Sequence, residues 1–131
     1  MRLLLDTHIA LWALLDDPRL SREARALILD PSNTVTVSVV SVWEITIKHA
    51  LARGQAGAMP MPGSAALGFF RVAGYEILPL TAAHAVAIET LPAFHSDPFD
   101  RLLVAQAHVE SLRLLTADRQ VASYDPGIVL L

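Results

Sequence analysis

Short apolar runs that stop at an acid limit what this chain can fold into. Met1–Leu5 ends at Asp6, and Leu112–Leu115 ends at Asp118 through the turn Thr116-Ala117. Between them, Thr34–Val39 alternates and is β-branched, the pattern of a strand, and Tyr75–Leu80 reads as another. The stretches between these runs have helical character. His8–Leu15 spaces Ile9, Leu11, Trp12 and Leu15 to pack inward before Asp16-Asp17-Pro18 breaks the pattern. Ser21 caps a helix to about Leu29, with Glu23 placed favourably in its first turn. Ser41 through Ala52 reads as a helix closed by Gly54. Further helices are expected at about Ser64–Val72, ending at Gly74, from Thr81 to about Thr90, from Asp97-Pro98 to about Glu110, and briefly after Asp118. Gln55–Gly63, with Gly57, Pro60 and Pro62, and Leu91–Ser96 are loops, and Ile128–Leu131 is a last apolar run. Strands alternating with helices point to an α/β fold with a parallel sheet of about four to five strands, helices on both faces and right-handed crossovers.

In such a fold, ligands gather outside the carboxyl ends of the strands. Asp6 and Asp118 end strands, while Glu44 and Asp100 lie near the starts of two apolar helical segments. Four carboxylates collected at one sheet edge raise each other's pKa unless a cation lies between them. The pattern therefore points to a divalent metal site and phosphodiester chemistry. Each acid also has an ordinary reading. Asp6 could cap the following helix, next to the polar pair Thr7 and His8, and Asp118 could be a turn residue. Glu44 either closes a capping box with Ser41 or, if its helix begins nearer Ser38, stands one turn further in as a charge beside the core. It also pairs in sequence with Lys48 at the helical i,i+4 spacing. Asp97 precedes Pro98 and suits a helix cap, which leaves Asp100, in the first turn near the positive helix end, as the better metal candidate.

Composition narrows the chemistry. The chain has 131 residues, enough for one domain spanning 1–131 with a real core, and no cysteine, so thiolate metal sites and thiol nucleophiles are excluded. Oxygen donors without sulfur favour Mg²⁺ or Mn²⁺ over zinc. The N-terminal apolar run is too short for a signal peptide and no segment approaches a membrane span, so a cytoplasmic location is expected. Hydrophobic residues make up 53% of the chain, with a mean hydropathy of +0.45. That surplus suggests apolar surface covered by a second copy or another protein. It lies partly in Ile9, Leu11, Trp12, Ala13 and Leu14, and partly near Phe69 and Phe70. The net charge of −3 is unusual for a nucleic-acid binder, yet nine of the ten basic residues are arginine, suited to forked phosphate contacts.

The phrases LLLDTHIALWAL, SVVSVWEITIK, LPLTAAHA, HSDPFDRLLVAQA and LLTAD resemble the PIN-domain family over nearly the whole chain and in the expected order. They are most similar to VapC-type toxins of type II toxin–antitoxin pairs. The resemblance implies a PIN-like three-layer α/β/α fold and an endoribonuclease dependent on one or two Mg²⁺ or Mn²⁺ ions. It would cleave single-stranded or loop RNA with a metal-activated water, form a homodimer and be silenced by a cognate antitoxin. The family's acidic set carries over onto Asp6, Glu44, Asp100 and Asp118, none of them substituted here, with Thr116 as a polar companion and Asp97 and Thr7 in support.

Other readings fit less well. A phosphoryl-transfer hydrolase with an aspartate nucleophile needs a second acid two positions after Asp6, where this chain has His8. A receiver-like domain needs a late lysine, and the single lysine is Lys48. A catalytically inactive PIN-like module that binds RNA or protein is the alternative that keeps the fold. Among the histidines, His8 and His95 flank the acids in sequence and are candidates for substrate contact, whereas His49, His84 and His108 belong to helices as packing or surface residues. None is assigned to catalysis.

Overall fold

Leu3 and Leu5 bury their side chains in one hydrophobic core and Leu4 in a second, on the opposite face of the strand. That alternation, with all three leucines fully buried, makes Arg2–Leu5 the central strand of a sheet covered on both sides. In the computed structural model, which describes residues 1–52, 55, 59–92 and 97–131, the strands are β1 (Arg2–Leu5), β2 (Thr34–Ser38), β3 (Glu76–Leu78), β4 (Arg113–Thr116) and β5 (Val129–Leu130). All neighbours pair in parallel, in the order β3-β2-β1-β4-β5. The helices are α1 (Thr7–Leu15), α2 (Arg22–Leu29), α3 (Val39–Leu51), α4 (Gly63–Val72), α5 (Ala82–Ala87) followed by a short 3-10 turn, α6 (Pro98–Glu110) and α7 (Arg119–Ala122). The result is the three-layer α/β/α arrangement expected from the sequence, and the final apolar run supplies the fifth strand.

The first core joins Leu3, Leu5, Val35, Val37 and Leu115 to residues of α1, α2, α3 and α4. The second joins Leu4 and Leu114 to Leu103, Val104 and Ala107 of α6 and Val121 of α7. Local signals hold where they were expected. The Ser21 hydroxyl accepts the amide of Ala24 at 3.1 Å, Asp97 accepts the amide of Phe99 at 2.8 Å, and Gly74 turns the chain after α4 with a positive φ of 83°. Gly63 permits the approach of α4 to α3, because a Cβ there would collide with the Thr46 hydroxyl and stand 3.0 Å from the Val42 carbonyl.

Two expectations shift. The second strand stops at Ser38, whose hydroxyl accepts the Val40 amide at 2.9 Å, so α3 begins at Val39 and not at Ser41. The β-branched Val39 extends the strand pattern in sequence, but the cap ends it one residue earlier. The apolar early helix is also less available to a partner than its composition suggests. Ile9 and Leu11 are buried, and Trp12, Ala13 and Leu14 pack against the core. The helix stop at Gly54, the loop glycine Gly57 and the candidate His95 lie outside the described residues. Among the described residues, no helix is long and apolar enough to cross a membrane.

Candidate active site

The chain leaves β1 for β2 and β3 on one side and later fills the other side with β4 and β5. The direction of winding therefore reverses between β1 and β4, the place where open α/β sheets leave a crevice. Register then fixes what lines it. Leu5 pairs with Leu115, so Asp6 and Thr116, the next residues, stand side by side. The Asp6 amide continues the ladder to the Leu115 carbonyl at 2.9 Å. The Thr116 hydroxyl donates to Asp6 Oδ2 at 2.6 Å and accepts the Asp118 amide at 3.0 Å. Asp6 occupies the N-cap position of α1 but makes no side-chain cap bond. Its carboxylate is used within the cavity instead.

Glu44 arrives from the second turn of α3, because the helix begins at Val39. There it is only 3% exposed. The Thr7 hydroxyl donates to its Oε1 at 2.6 Å and contacts Ser41 Oγ at 2.9 Å. Lys48 Nζ, one turn along, donates to Oε2 at 2.5 Å. The capping-box reading of Ser41 and Glu44 gives way to the one in which the acid lies beside the core. Asp100 stands in the first turn of α6. Trp43 and Phe99 meet edge to face at 5.0 Å and tie the starts of α3 and α6 together. Asp118 caps α7 by accepting the Gln120 amide at 2.8 Å. Asp97 caps α6, accepting the amides of Phe99 and Asp100 at 2.8 and 3.3 Å.

Asp6, Glu44, Asp100 and Asp118 all line one open cavity of about 550 Å³, whose other walls are His8, Trp12, Arg19, Ala117 and Arg119. A second cavity, of about 610 Å³, lies at the other end of the strands near Arg2 and Arg113, and none of the candidate acids lines it. Burial pushes the Asp6 carboxyl above its ordinary range. The Thr116 hydroxyl, the His8 charge and the Thr7 amide oppose that shift, and the neighbouring Glu44 adds to it. For Lys48, partial burial favours the neutral amine, but the Glu44 bond and the charges of Glu44, Asp97 and Asp100 outweigh it, and the net shift is upward. Among the described residues, no three His, Asp or Glu side chains stand close enough to hold one metal ion between them. The acids thus share a cavity without meeting at one point. The donor set itself, oxygen throughout with two buried carboxylates, Asp6 and Glu44, fits a hard divalent cation.

Spacing alone assigns Trp12 to packing and leaves Arg19 and Arg119 without a role, yet all three line the acidic cavity. Residues after a helix break carry no periodic signal, so only the fold brings Arg19 back over α1. His84, expected as a packing or surface residue, is buried. Its Nδ1 accepts the Thr81 amide at 3.0 Å and its Nε2 bonds Glu110 at 2.9 Å, away from the cavity.

An acid-lined crevice at the carboxyl edge of a five-stranded parallel α/β/α sheet is the architecture of a PIN-type domain. Residues 3–125 match the PIN domain family, and the chain belongs to it. Within that family it is homologous to VapC proteins. Ribonuclease VapC22 of Mycobacterium tuberculosis is 33% identical over 121 residues, covering 92% of this chain and 90% of the relative. The fold is shared with VapBC2 from Rickettsia felis bound to a DNA fragment from their promoter, at a TM-score of 0.69 and 18% identity over 100% of this chain and 98% of that one. It is shared also with FitAcB from Neisseria gonorrhoeae, at a TM-score of 0.63 and 18% identity over 98% and 96% of the two chains. A toxin–antitoxin complex from Klebsiella pneumoniae gives a TM-score of 0.59 and 22% identity over 96% and 94%.

Proposed function

We propose that this protein is a Mg²⁺- or Mn²⁺-dependent endoribonuclease acting as the toxin of a toxin–antitoxin pair. The observation that carries the reading is the lining of one cavity, at the sheet's carboxyl edge, by Asp6, Glu44, Asp100 and Asp118. Asp6 and Asp100 would be the principal metal holders, completed by Glu44 and Asp118 directly or through water. The bound ion would polarise the scissile phosphate and make water a better nucleophile. The chain's own residues prepare that chemistry. Thr116 orients Asp6 and braces the Asp118 backbone. Thr7 orients Glu44. Asp97 holds the first turn of α6, which carries Asp100.

Purified protein should cut single-stranded or loop RNA with Mg²⁺ or Mn²⁺ and stop with EDTA. Asp6→Ala and Asp100→Ala should each abolish cutting while circular dichroism stays unchanged. Full activity in either variant would remove that residue from the site. The competing reading, a domain that only binds, is favoured by the absence of three acids within reach of one ion among the described residues. Mn²⁺ titration followed by electron paramagnetic resonance separates the two, because a binding-only pocket need not take up the ion.

The partner reading draws on the relatives, among them a toxin–antitoxin complex and VapBC2 on promoter DNA. A small gene beside this one, encoding a DNA-binding protein that co-purifies and suppresses cleavage, is the expected antitoxin. Such a partner could block RNA entry or set an arginine among the carboxylates. The homodimer would use apolar surface left exposed on α4, where Phe69 and Val72 face solvent. A clean monomer at micromolar concentration by light scattering would count against it.

A further inference from the structure

The mouth of the acidic cavity carries a flat cation held in a fixed plane. Asp16 adopts the left-handed conformation, with φ 51°, and the Asp17 amide bonds the Trp12 carbonyl at 2.9 Å, so the chain folds back at the end of α1. Asp17 then grips Arg19 with both carboxylate oxygens. Oδ1 accepts the Arg19 amide at 2.8 Å and Nε at 3.1 Å, while Oδ2 accepts Nη2 at 2.8 Å. The same guanidinium lies 5.2 Å from the centre of the Trp12 ring, and the His8 ring stands 6.1 Å from that indole, tilted by 48°. Arg19, Trp12 and His8 all line the cavity that holds the four acids.

The Arg19 side chain is 68% exposed, and an exposed ion pair contributes little stability after the cost of fixing two side chains. Stability therefore gives little reason for the arrangement, whereas its position at the acids does. We infer that Arg19, backed by Trp12 and aligned by Asp17, is a stacking plate for an unpaired base of the RNA strand, next to the phosphate presented to the carboxylates. The inference rests on the ribonuclease reading and adds how the strand is held.

Two physical points favour a base over a phosphate at this position. The Nε–Nη2 edge of the guanidinium, its side-on fork, is already engaged by Asp17, so a phosphate would have to displace that carboxylate or be left with the Nη1–Nη2 end. The side-chain bond to Arg19 is also the main reason the Asp17 carboxyl is lowered to about 2, so the displacement would remove a favourable pairing. A base needs only the flat face, and guanidinium planes and aromatic rings stack with any base. Stacking also helps where charge does not. The Asp17–Arg19 pair is close to neutral, and the acids repel phosphate until a cation is bound. Arg119, on the wall that also carries Asp118, remains the nearer choice for a backbone contact.

The probe is a short oligoadenylate carrying one 2-aminopurine, bound to the parent protein with Ca²⁺ in place of Mg²⁺ so that the site is charged and the strand stays whole. The fluorescence of the 2-aminopurine should be quenched on binding at one or two positions along the strand. Arg19→Lys keeps the charge and loses the plane. It should abolish the quench and weaken binding at least about fivefold, while the Mn²⁺ affinity and the salt dependence of binding stay at the parent's values. Trp12→Leu should reduce the quench as well, and Asp17→Asn, which keeps the size of the side chain, provides a second variant if Trp12→Leu fails to fold. Unchanged quench and affinity in Arg19→Lys would overturn the plate while leaving the nuclease intact. So would a loss seen in Arg19→Gln but not in Arg19→Lys, which would make Arg19 a plain charge contact. A parent protein that neither cuts nor binds RNA would remove the nuclease reading and the plate together.

Discussion

Thr116 donates its hydroxyl hydrogen to Asp6 at 2.6 Å across 110 residues of sequence, and the pairing of Leu5 with Leu115 puts them there. The same oxygen accepts the Asp118 amide, so one small side chain sets the positions of two of the four acids. Replacing it with valine keeps the volume and the strand preference but leaves a buried carboxylate short of a donor. Thr116→Val should cost about 1–3 kcal/mol of stability at neutral pH and lower kcat by more than it raises KM for RNA. Thr116→Ser should recover most of both. Chemical denaturation and steady-state cleavage check the two halves, and an active, fully stable valine variant would show that the hydroxyl is dispensable.

The Asp6 carboxyl, raised by burial, binds its proton more tightly in the folded protein than in the unfolded chain. Without metal, stability should therefore fall as pH climbs from the ordinary carboxylate range through the raised folded value, and then level off. Asp6→Asn removes that penalty. In EDTA at neutral pH the variant should melt at a higher temperature than the parent, with the margin closing in acid. Excess Mg²⁺ should raise the melting temperature of the parent and leave that of the variant nearly unchanged. Melting curves across pH, with and without the ion, test the sign directly.

Asp97 and Asp100 sit three residues apart with different work to do. Asp97 accepts two amides at the start of α6, and asparagine caps about as well as aspartate. Asp97→Asn should change stability by less than about 0.5 kcal/mol and keep much of the activity. Asp100→Asn should lose most activity and weaken Mn²⁺ binding at least about tenfold, because a neutral amide is a poor ligand for a hard cation. The reverse ranking in cleavage assays would exchange the two roles.

Lys48 is the cation nearest to hand for the buried Glu44, which it meets at 2.5 Å while remaining 40% exposed itself. Lys48→Met would leave that carboxylate with its Thr7 bond but without a countercharge. The expected cost in EDTA is about 1–2 kcal/mol, below that of a fully buried pair because water screens the lysine. Mg²⁺ should then stabilise the variant more than the parent, since the ion supplies the missing positive charge. Calorimetric melts in both conditions decide it, and an equal Mg²⁺ effect would place Glu44 beyond the ion's influence.

The sequence by itself determined the elements and their local ends. Apolar runs named the strands, and Ser21, Thr81 and Asp97 announced helix starts because a cap bonds amides two or three residues away. It also supplied all four acids. Where the signal was local but ambiguous, the fold chose. Ser38 and Ser41 are both good caps, and only the bond from Ser38 to the Val40 amide, with Ser38 also held by Gln106 at 2.5 Å from α6, placed Glu44 one turn inside α3. Tertiary structure alone decided the rest. Strand order put Asp6 beside Thr116, and the turn after α1 laid Arg19 over Trp12. The packing of α3 against α6 set Lys48 and Phe99 within 5.7 Å. Those relationships depend on register and crossover, which join residues far apart in the chain, and no periodicity within a single segment encodes them.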